Sequence, residues 1–252
     1  MPSPLARARR AVRAATRAGL RSLQRDAALG NLPGFEDAWG TAHRVPGWFG
    51  ETEAAVFWSV VHEVRPATVV EIGSYLGRST TLLGLALQHA DVPAARLVAI
   101  DPHTGDRQNM RALGISTIPT LDLFRIYMQA AGIGELLDVR VAPSAEVAAD
   151  WHDPVDLLFV DGWHSKRGVL ADARGFGPHL TDRGIVCFDD YTAYKSVRRG
   201  ADLACTELGL VRYGTVAAQL WAGRPEVAPA GVVRALRVER LVSAARRLSP
   251  RR

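Results

Sequence analysis

Five acidic residues stand at the ends of apolar runs of the sequence, namely Glu71, Asp101, Asp161, Asp189 and Asp190. If these runs are strands of a parallel sheet, their carboxyl ends meet along one edge, which is where open α/β sheets bind ligands. Carboxylates gathered in one place repel one another, and a bound cation offsets that repulsion. The sequence therefore predicts a ligand-binding edge with room for positive charge.

Three of these acids could hold a metal ion. Asp161 ends one apolar run, and Asp189 and Asp190 end the next. Neighbouring side chains of a regular strand face opposite ways, so Asp189 and Asp190 converge only if the strand ends between them. Three converging carboxylates suit a hard cation such as Mg²⁺. The alternative is a pair of loop acids, one of which caps a helix.

The turn after the first apolar run reads Glu71-Ile-Gly73-Ser74-Tyr75-Leu76-Gly77-Arg78-Ser79. Its glycines let the backbone approach a ligand closely. The turn lacks the dinucleotide pattern G-x-G-x-x-G, because Tyr75 stands where the second glycine would be. A diphosphate therefore fits poorly, and Glu71 favours a ligand with a positive group. Asp101, at the next strand end, could accept both hydroxyls of a ribose.

Apolar β-branched runs alternate with helical periodicity along the chain, which predicts a parallel sheet covered on both faces. The expected strands are 67–72, 96–100, 137–141, 156–160, 184–188, 210–216 and 218–222, and the last two should form a hairpin at one edge. Residues 26–50 are expected to be an irregular lead-in. The predicted organisation is a basic N-terminal helix or tail over 1–25, one domain over 26–230 and a basic C-terminal tail over 231–252.

The run Glu71–Thr81 resembles motif I of the class I methyltransferases that use S-adenosylmethionine (SAM), and 99–103 resembles their ribose-binding strand end. This resemblance implies an α/β fold with a doubly wound, mostly parallel, seven-stranded Rossmann-like sheet and an antiparallel edge hairpin. It also implies SAM as the methyl donor and a contact of Ser144 with the adenine. The cofactor-binding residues are then Glu71, Gly73, Ser74, Gly77, Ser79, Asp101 and Ser144.

The segments Asp161-Gly-Trp-His164 and Asp189-Asp190-Tyr191 resemble those of the metal-dependent macrocin-type sugar O-methyltransferases, and more distantly catechol O-methyltransferase. The resemblance implies that the three acids hold Mg²⁺ and that His164 is the general base; the alternative for His164 is a polar surface residue. It predicts O-methylation of a sugar, glycolipid, polysaccharide or glycosylated natural product. A catechol or phenolic O-methyltransferase, and a SAM-binding membrane-associated protein without methyl transfer, stay open as alternatives.

The net charge of +5 is unevenly distributed. Residues 1–25 carry +7 and residues 231–252 carry +6, which leaves −8 on residues 26–230. We therefore expect no nucleic-acid partner for the folded domain. Residues 1–25 have a weakly amphipathic pattern, which favours either peripheral contact with an anionic membrane or a solvated appendage.

The remaining expectations concern single residues and the surroundings of the chain. The two cysteines should be reduced core thiols, Trp48 and Phe49 should pack in the core, and Asp172, Arg198 and Arg199 should be solvated helix charges. No apolar stretch is long enough to span a membrane. We expect a cytoplasmic homodimer that acts on a small-molecule or glycan acceptor.

Overall fold

The structure is a computed structural model that describes residues 18–105 and 120–248. Its strands form one sheet in the order β3-β2-β1-β4-β5-β7-β6, in which β7 runs antiparallel to the other six strands. The strands are β1 Thr68–Ile72, β2 Arg96–Ile100, β3 Leu137–Arg140, β4 Val155–Val160, β5 Leu180–Phe188, β6 Val211–Val216 and β7 Gln219–Gly223. The strand order reverses between β1 and β4, so the ligand crevice is expected at the carboxyl ends of these two strands.

Helices cover both faces of the sheet. They are α1 over 18–29, α2 Phe35–His43, α3 Glu51–Val64, α4 Arg78–His89, α5 Thr120–Ala131, α6 Ser144–Ala149, α7 Lys166–Phe176, α8 Lys195–Glu207 and α9 Ala230–Leu248. Alternate residues of each strand enter opposite cores: Val69 packs with α3 and α4, whereas Val70 packs with α7 and α8. This division confirms the doubly wound, mostly parallel sheet with its antiparallel edge hairpin.

Two predictions about the chain were wrong. The segment 26–50 is not irregular, since it contains α2, whose residues Phe35, Ala38 and Ala42 are buried at helical spacing. Helix α2 is short, and the prolines and glycines around it favour turns, so its helical periodicity is difficult to recognise in the sequence. Strand β5 begins at Leu180 instead of residue 184, because its first part is polar and pairs with β4 through an irregular register.

The ends of the chain are only partly described, since residues 1–17 and 249–252 lie outside the described residues. The segment predicted as a C-terminal tail is helical from Ala230 to Leu248, and Val232 and Ala235 are buried against the core. Both cysteines are free and buried. Among the described residues, no helix combines the length and apolar character that crossing a bilayer requires.

Candidate active site

The turn after β1 brings the carboxyl ends of β1, β2 and β4 into contact. The Gly73 amide donates to the Ile100 carbonyl (2.9 Å), and the Asp161 amide donates to the Ile72 carbonyl (2.9 Å). Gly73 has φ +92°, and a Cβ there would lie 2.1 Å from the Asp161 carbonyl oxygen. Only glycine fits, because the left-handed backbone and the close approach both exclude a side chain.

Glu71 lies fully buried beneath this turn. One carboxylate oxygen accepts a hydrogen bond from the Thr80 hydroxyl in the first turn of α4, and the other has no partner among the described residues. Burial raises the pKa of Glu71 to about 7, and repulsion from Asp101 adds to the rise, whereas the hydroxyls of Ser79 and Thr80 oppose it. The nearby Ser74 hydroxyl is also buried without a described partner. Unpartnered buried polar atoms at a strand edge are typical of a site that a ligand completes.

Asp101 ties the turn to the loop after β2. Its carboxylate accepts from the Tyr75 amide (2.9 Å) and from the His103 amide (2.7 Å), one at each oxygen. Each carboxylate oxygen can accept a second hydrogen bond. Asp101 is therefore held in a fixed orientation with capacity left for two hydroxyl groups.

Ser144 opens α6 and donates its hydroxyl to Asp172 of α7. The prediction that Asp172 is a solvated charge was wrong, since its residue surface is only 6% exposed. Burial raises its pKa, and the hydrogen bond from Ser144 opposes the rise. The position could have been recognised from the spacing of Val169, Asp172 and Phe176, which places Asp172 on the buried face of its helix.

A candidate metal site lies at the ends of β4 and β5. One donor atom each from Asp161, His164 and Asp190 falls within 4.8 Å of the others. The His164 Nε2 is 3.2 Å from an Asp190 carboxylate oxygen. Asp190 has φ +54°, so the chain has left the strand there and its side chain escapes the alternation of β5. Strand β5 ends at Phe188, so both Asp189 and Asp190 lie beyond it and only Asp190 turns into this group.

Asp189 does not join that group of three donors. It adjoins Asp161, and its other neighbours are Gln219, which is buried at the start of β7, and Glu53 of α3. Burial raises the pKa of Asp189 to about 7, and repulsion from Asp190 contributes. Gln219 was missed by sequence reasoning, because a glutamine in an edge strand carries no motif signal.

Asp161 faces the other acids of the site. Burial holds its pKa well above the ordinary range, and repulsion from Asp189, Asp190 and Glu71 adds to the effect. Burial also raises the pKa of Asp190, while His164 opposes that rise. Acids that resist ionisation beside one another are typical of a site whose ligand brings positive charge.

One aromatic ring lies directly against the candidate metal site. The His164 ring stacks on Tyr194 with centroids 4.6 Å apart. The backbone carbonyl of His164 accepts a hydrogen bond from the Ser196 hydroxyl. Phe49 is buried as expected, but Trp48 is 66% exposed and lies beside Tyr75 of the glycine turn, so the core prediction for Trp48 was wrong.

Trp163 is exposed next to His164. Arg198 and Arg199 are exposed on α8, as expected for solvated helix charges.

Comparisons with known proteins match part of this chain to a protein family and its fold to solved structures. Residues 70–191 match the model of a family described as a methyltransferase domain. The O-methyltransferase NovP is 14% identical with a TM-score of 0.60, over 83% of this chain and 100% of that one. An O-methyltransferase from Bacillus cereus in complex with SAH is 15% identical with a TM-score of 0.55, over 77% and 92%.

A methyltransferase from Geobacter sulfurreducens is 14% identical with a TM-score of 0.53, over 77% of this chain and 91% of that one. At such identities the likeness shows the fold, and the family match covers the strand ends that form the site. The chain therefore has the fold of these methyltransferases, and its residues 70–191 match a methyltransferase domain.

Proposed function

We propose that this methyltransferase moves the methyl group of SAM to a hydroxyl oxygen of a sugar or of a glycosylated lipid, polysaccharide or natural product, with Mg²⁺ bound by its strand-end acids. The observation that carries the proposal is the gathering of Asp161, His164 and Asp190 within 4.8 Å, directly beside Gly73 of the cofactor turn. A nucleophile held there would lie next to the SAM methyl group, and positioning of this kind supplies much of the rate of group transfer.

The cofactor residues suit the parts of SAM. The backbone of the turn from Gly73 to Gly77 is open to close approach, and the buried hydroxyl of Ser74 lacks a described partner. Asp101 retains acceptor capacity for the ribose hydroxyls. Ser144 and Asp172 form a polar pair at the start of α6, where the adenine is expected. The positive sulfonium and ammonium groups would offset the burial and the repulsion from Asp101 that raise the pKa of Glu71.

The donor set fits a divalent cation. Asp161 and Asp190 offer carboxylate oxygens, and Asp189 adjoins Asp161. Oxygen donors favour Mg²⁺, whereas a ligating imidazole would favour a transition metal. When bound, the ion makes an acceptor hydroxyl easier to deprotonate and orients its oxygen. We assign Asp161, Asp189 and Asp190 to hold Mg²⁺.

His164 is left free to act as the base. Its Nε2 is close enough to Asp190 for the carboxylate to stabilise the imidazolium that forms when His164 takes the acceptor proton. The stacked ring of Tyr194 limits the rotation of the imidazole. Histidine suits this role because it changes charge near neutral pH.

Asp161→Asn tests the proposal directly, with Asp182→Asn at the opposite end of β5 as a control of equal charge change. We expect calorimetry to show SAM binding in both variants, and mass spectrometry to show a methylated sugar acceptor only with the control. EDTA should abolish transfer and Mg²⁺ should restore it. Transfer that survives EDTA would remove the metal from the proposal, and restoration by Mn²⁺ or Zn²⁺ alone would make His164 a ligand.

The acceptor class needs its own comparison, because a phenol could occupy the same site. The exposed ring of Trp163 could stack on a sugar or on an aromatic acceptor. We expect sugars and glycosides to gain a methyl group and catechols to remain unchanged. Faster methylation of catechols would replace the sugar assignment by the phenolic one.

We further propose a cytoplasmic homodimer, which follows from the sequence expectations alone. Light scattering of the full chain measures the mass in solution, and fractionation of cells that express it measures its location. A monomer, or a chain recovered outside the cytoplasm, would contradict these two parts without affecting the methyl transfer.

A further inference from the structure

The first residue of β7 lies at the edge of the sheet that carries the candidate active site. Because β7 runs antiparallel to β5, its first residues lie beside the last residues of β5, and Leu220 pairs with Phe188. Gln219 comes directly before Leu220, and Asp189 comes directly after Phe188. The topology therefore brings a glutamine next to one of the strand-end acids.

Gln219 faces the core that α3 covers. Side chains two positions apart on a strand share a face. Trp221 is buried on the α3 side of β7, with its ring centroid 4.7 Å from that of Phe57 in α3. Leu220 lies in the opposite core together with Phe188. A glutamine is seldom buried on such an aromatic face unless its amide meets another polar group.

The amide of Gln219 is buried beside the carboxylate of Asp189. Gln219 is fully buried, and neither end of its amide has a hydrogen-bond partner of normal geometry among the described residues. The Oδ1 atom of Asp189 is buried without such a partner as well. Asp190 and Glu53 repel the Asp189 carboxylate, whereas the Gln219 amide favours its charged form. The two side chains therefore face each other across a contact that is not yet a good hydrogen bond.

The start of β7 is fixed by the loop that follows the acids. The Thr192 amide donates to the Ala218 carbonyl (3.2 Å), directly before Gln219. Tyr194 of the same loop stacks on His164. Gln219 is thus held by the sheet on one side and by this loop on the other. Side chains on such supported backbone are suited to orienting the ligands of a metal ion.

Asp189 lies between Gln219 and the candidate metal site. Its carboxylate is also within hydrogen-bond range of Asp161. A carboxylate that binds a cation through one oxygen can accept an amide hydrogen bond at the other. Groups that hold metal ligands in this way contribute about 10–100-fold to metal affinity. An unpartnered buried amide destabilises a fold, so packing alone does not account for Gln219.

We propose that Gln219 is a positioning residue of the active site, whose amide donates to Asp189 and holds that carboxylate toward the divalent cation. This role rests on the metal site of the proposed function. The amide destabilises the metal-free chain, and its completed hydrogen bond stabilises the chain with metal bound. Gln219 should therefore matter for metal affinity and not for the binding of SAM.

Calorimetric titration of the full chain with Mg²⁺ at saturating SAM tests this role, together with Tm in metal-free buffer. Gln219→Met removes the amide and keeps the length of the side chain. We expect it to bind Mg²⁺ about tenfold more weakly and to bind SAM like the native chain. Its Tm should be unchanged or about 2–4 °C higher, because an unpartnered buried amide is gone.

The control Gln88→Met makes the same substitution in the last turn of α4, where the exposed Gln88 donates to the Gly132 carbonyl. It should bind Mg²⁺ like the native chain. Native Mg²⁺ affinity in Gln219→Met would overturn the role of Gln219 and leave the metal site standing. A fall in Tm of more than about 5 °C in both Gln219→Met and Gln219→Leu would overturn it too, because the amide would then be structural. A native chain that binds no Mg²⁺ would remove the metal site and this role together.

Discussion

Replacing the buried acid of the cofactor turn should stabilise the protein in a pH-dependent way. Glu71 is fully buried, and burial raises its pKa from the ordinary 4.5 to about 7. Between these values the unfolded chain ionises while the folded chain keeps its proton, so stability falls as the pH rises. The glutamine variant Glu71→Gln cannot ionise and still accepts the Thr80 hydrogen bond. The stability of Glu71→Gln should therefore not fall in this way as the pH rises.

The magnitude follows from the titration. Each pH unit between the two values corresponds to about 1.4 kcal/mol, so ionised Glu71 costs the folded chain about 3 kcal/mol above pH 7. The gain from Glu71→Gln should be about 2–3 kcal/mol near pH 8, less than about 1 kcal/mol near pH 5, and visible as a rise in Tm of about 5–10 °C at the higher pH.

Thermal and urea unfolding at the two pH values measure the effect, and calorimetry with SAM measures its functional cost. The exposed Glu226→Gln serves as the control, because it removes the same charge from the surface. If Glu71→Gln raised the free energy of unfolding equally at both pH values, or lowered it near pH 8, ionisation of Glu71 would not be what destabilises the folded chain. We also expect weaker SAM binding in Glu71→Gln, since the negative charge that favours the cofactor is gone.

Further predictions concern the turn and the base. Gly73→Ala should destabilise the fold by about 3 kcal/mol or more in urea unfolding, because the new Cβ would meet the Asp161 carbonyl. The control Gly132→Ala, which has positive φ but open space around it, should cost only about 1–2 kcal/mol. Equal losses of stability in the two variants would mean that the close approach of Gly73 to Asp161 does not matter. Tyr194→Ala should lower kcat while leaving KM nearly unchanged, and Tyr194→Phe should keep the native rate, because only the ring stacks on His164; a loss in both variants would point to the hydroxyl instead.

The strands and their acids were predictable because a parallel sheet buries both faces of its strands. Such strands appear as continuous apolar runs, and the first polar residue after each run marks its carboxyl end. β2 was placed at its observed bounds for this reason. The same reasoning fails where the core is built by few residues, as in α2, or where a strand begins in solvent, as in β5.

The site could be predicted to the level of strand ends but not to the level of side-chain direction. Two adjacent acids after an apolar run do not reveal which one turns toward Asp161 and His164. The direction is set by the positive φ of Asp190 and by the hydrogen bond from the Asp189 amide to the Val160 carbonyl, which keeps Asp189 in the ladder. Both depend on contacts between β4 and β5, so they arise only in the folded chain.

The raised pKa values of Glu71, Asp161 and Asp189 share one cause, namely burial at an edge where acid meets acid. Hydroxyl and amide donors relieve only part of that repulsion. The remaining loss of folding stability grows as the pH rises toward neutral and these acids ionise. A sulfonium and a divalent cation are the charges that would relieve it, one on each side of the contact between Gly73 and Asp161. The fold therefore gives up stability at the place where the proposed cofactors would bind, and their binding energy would restore it.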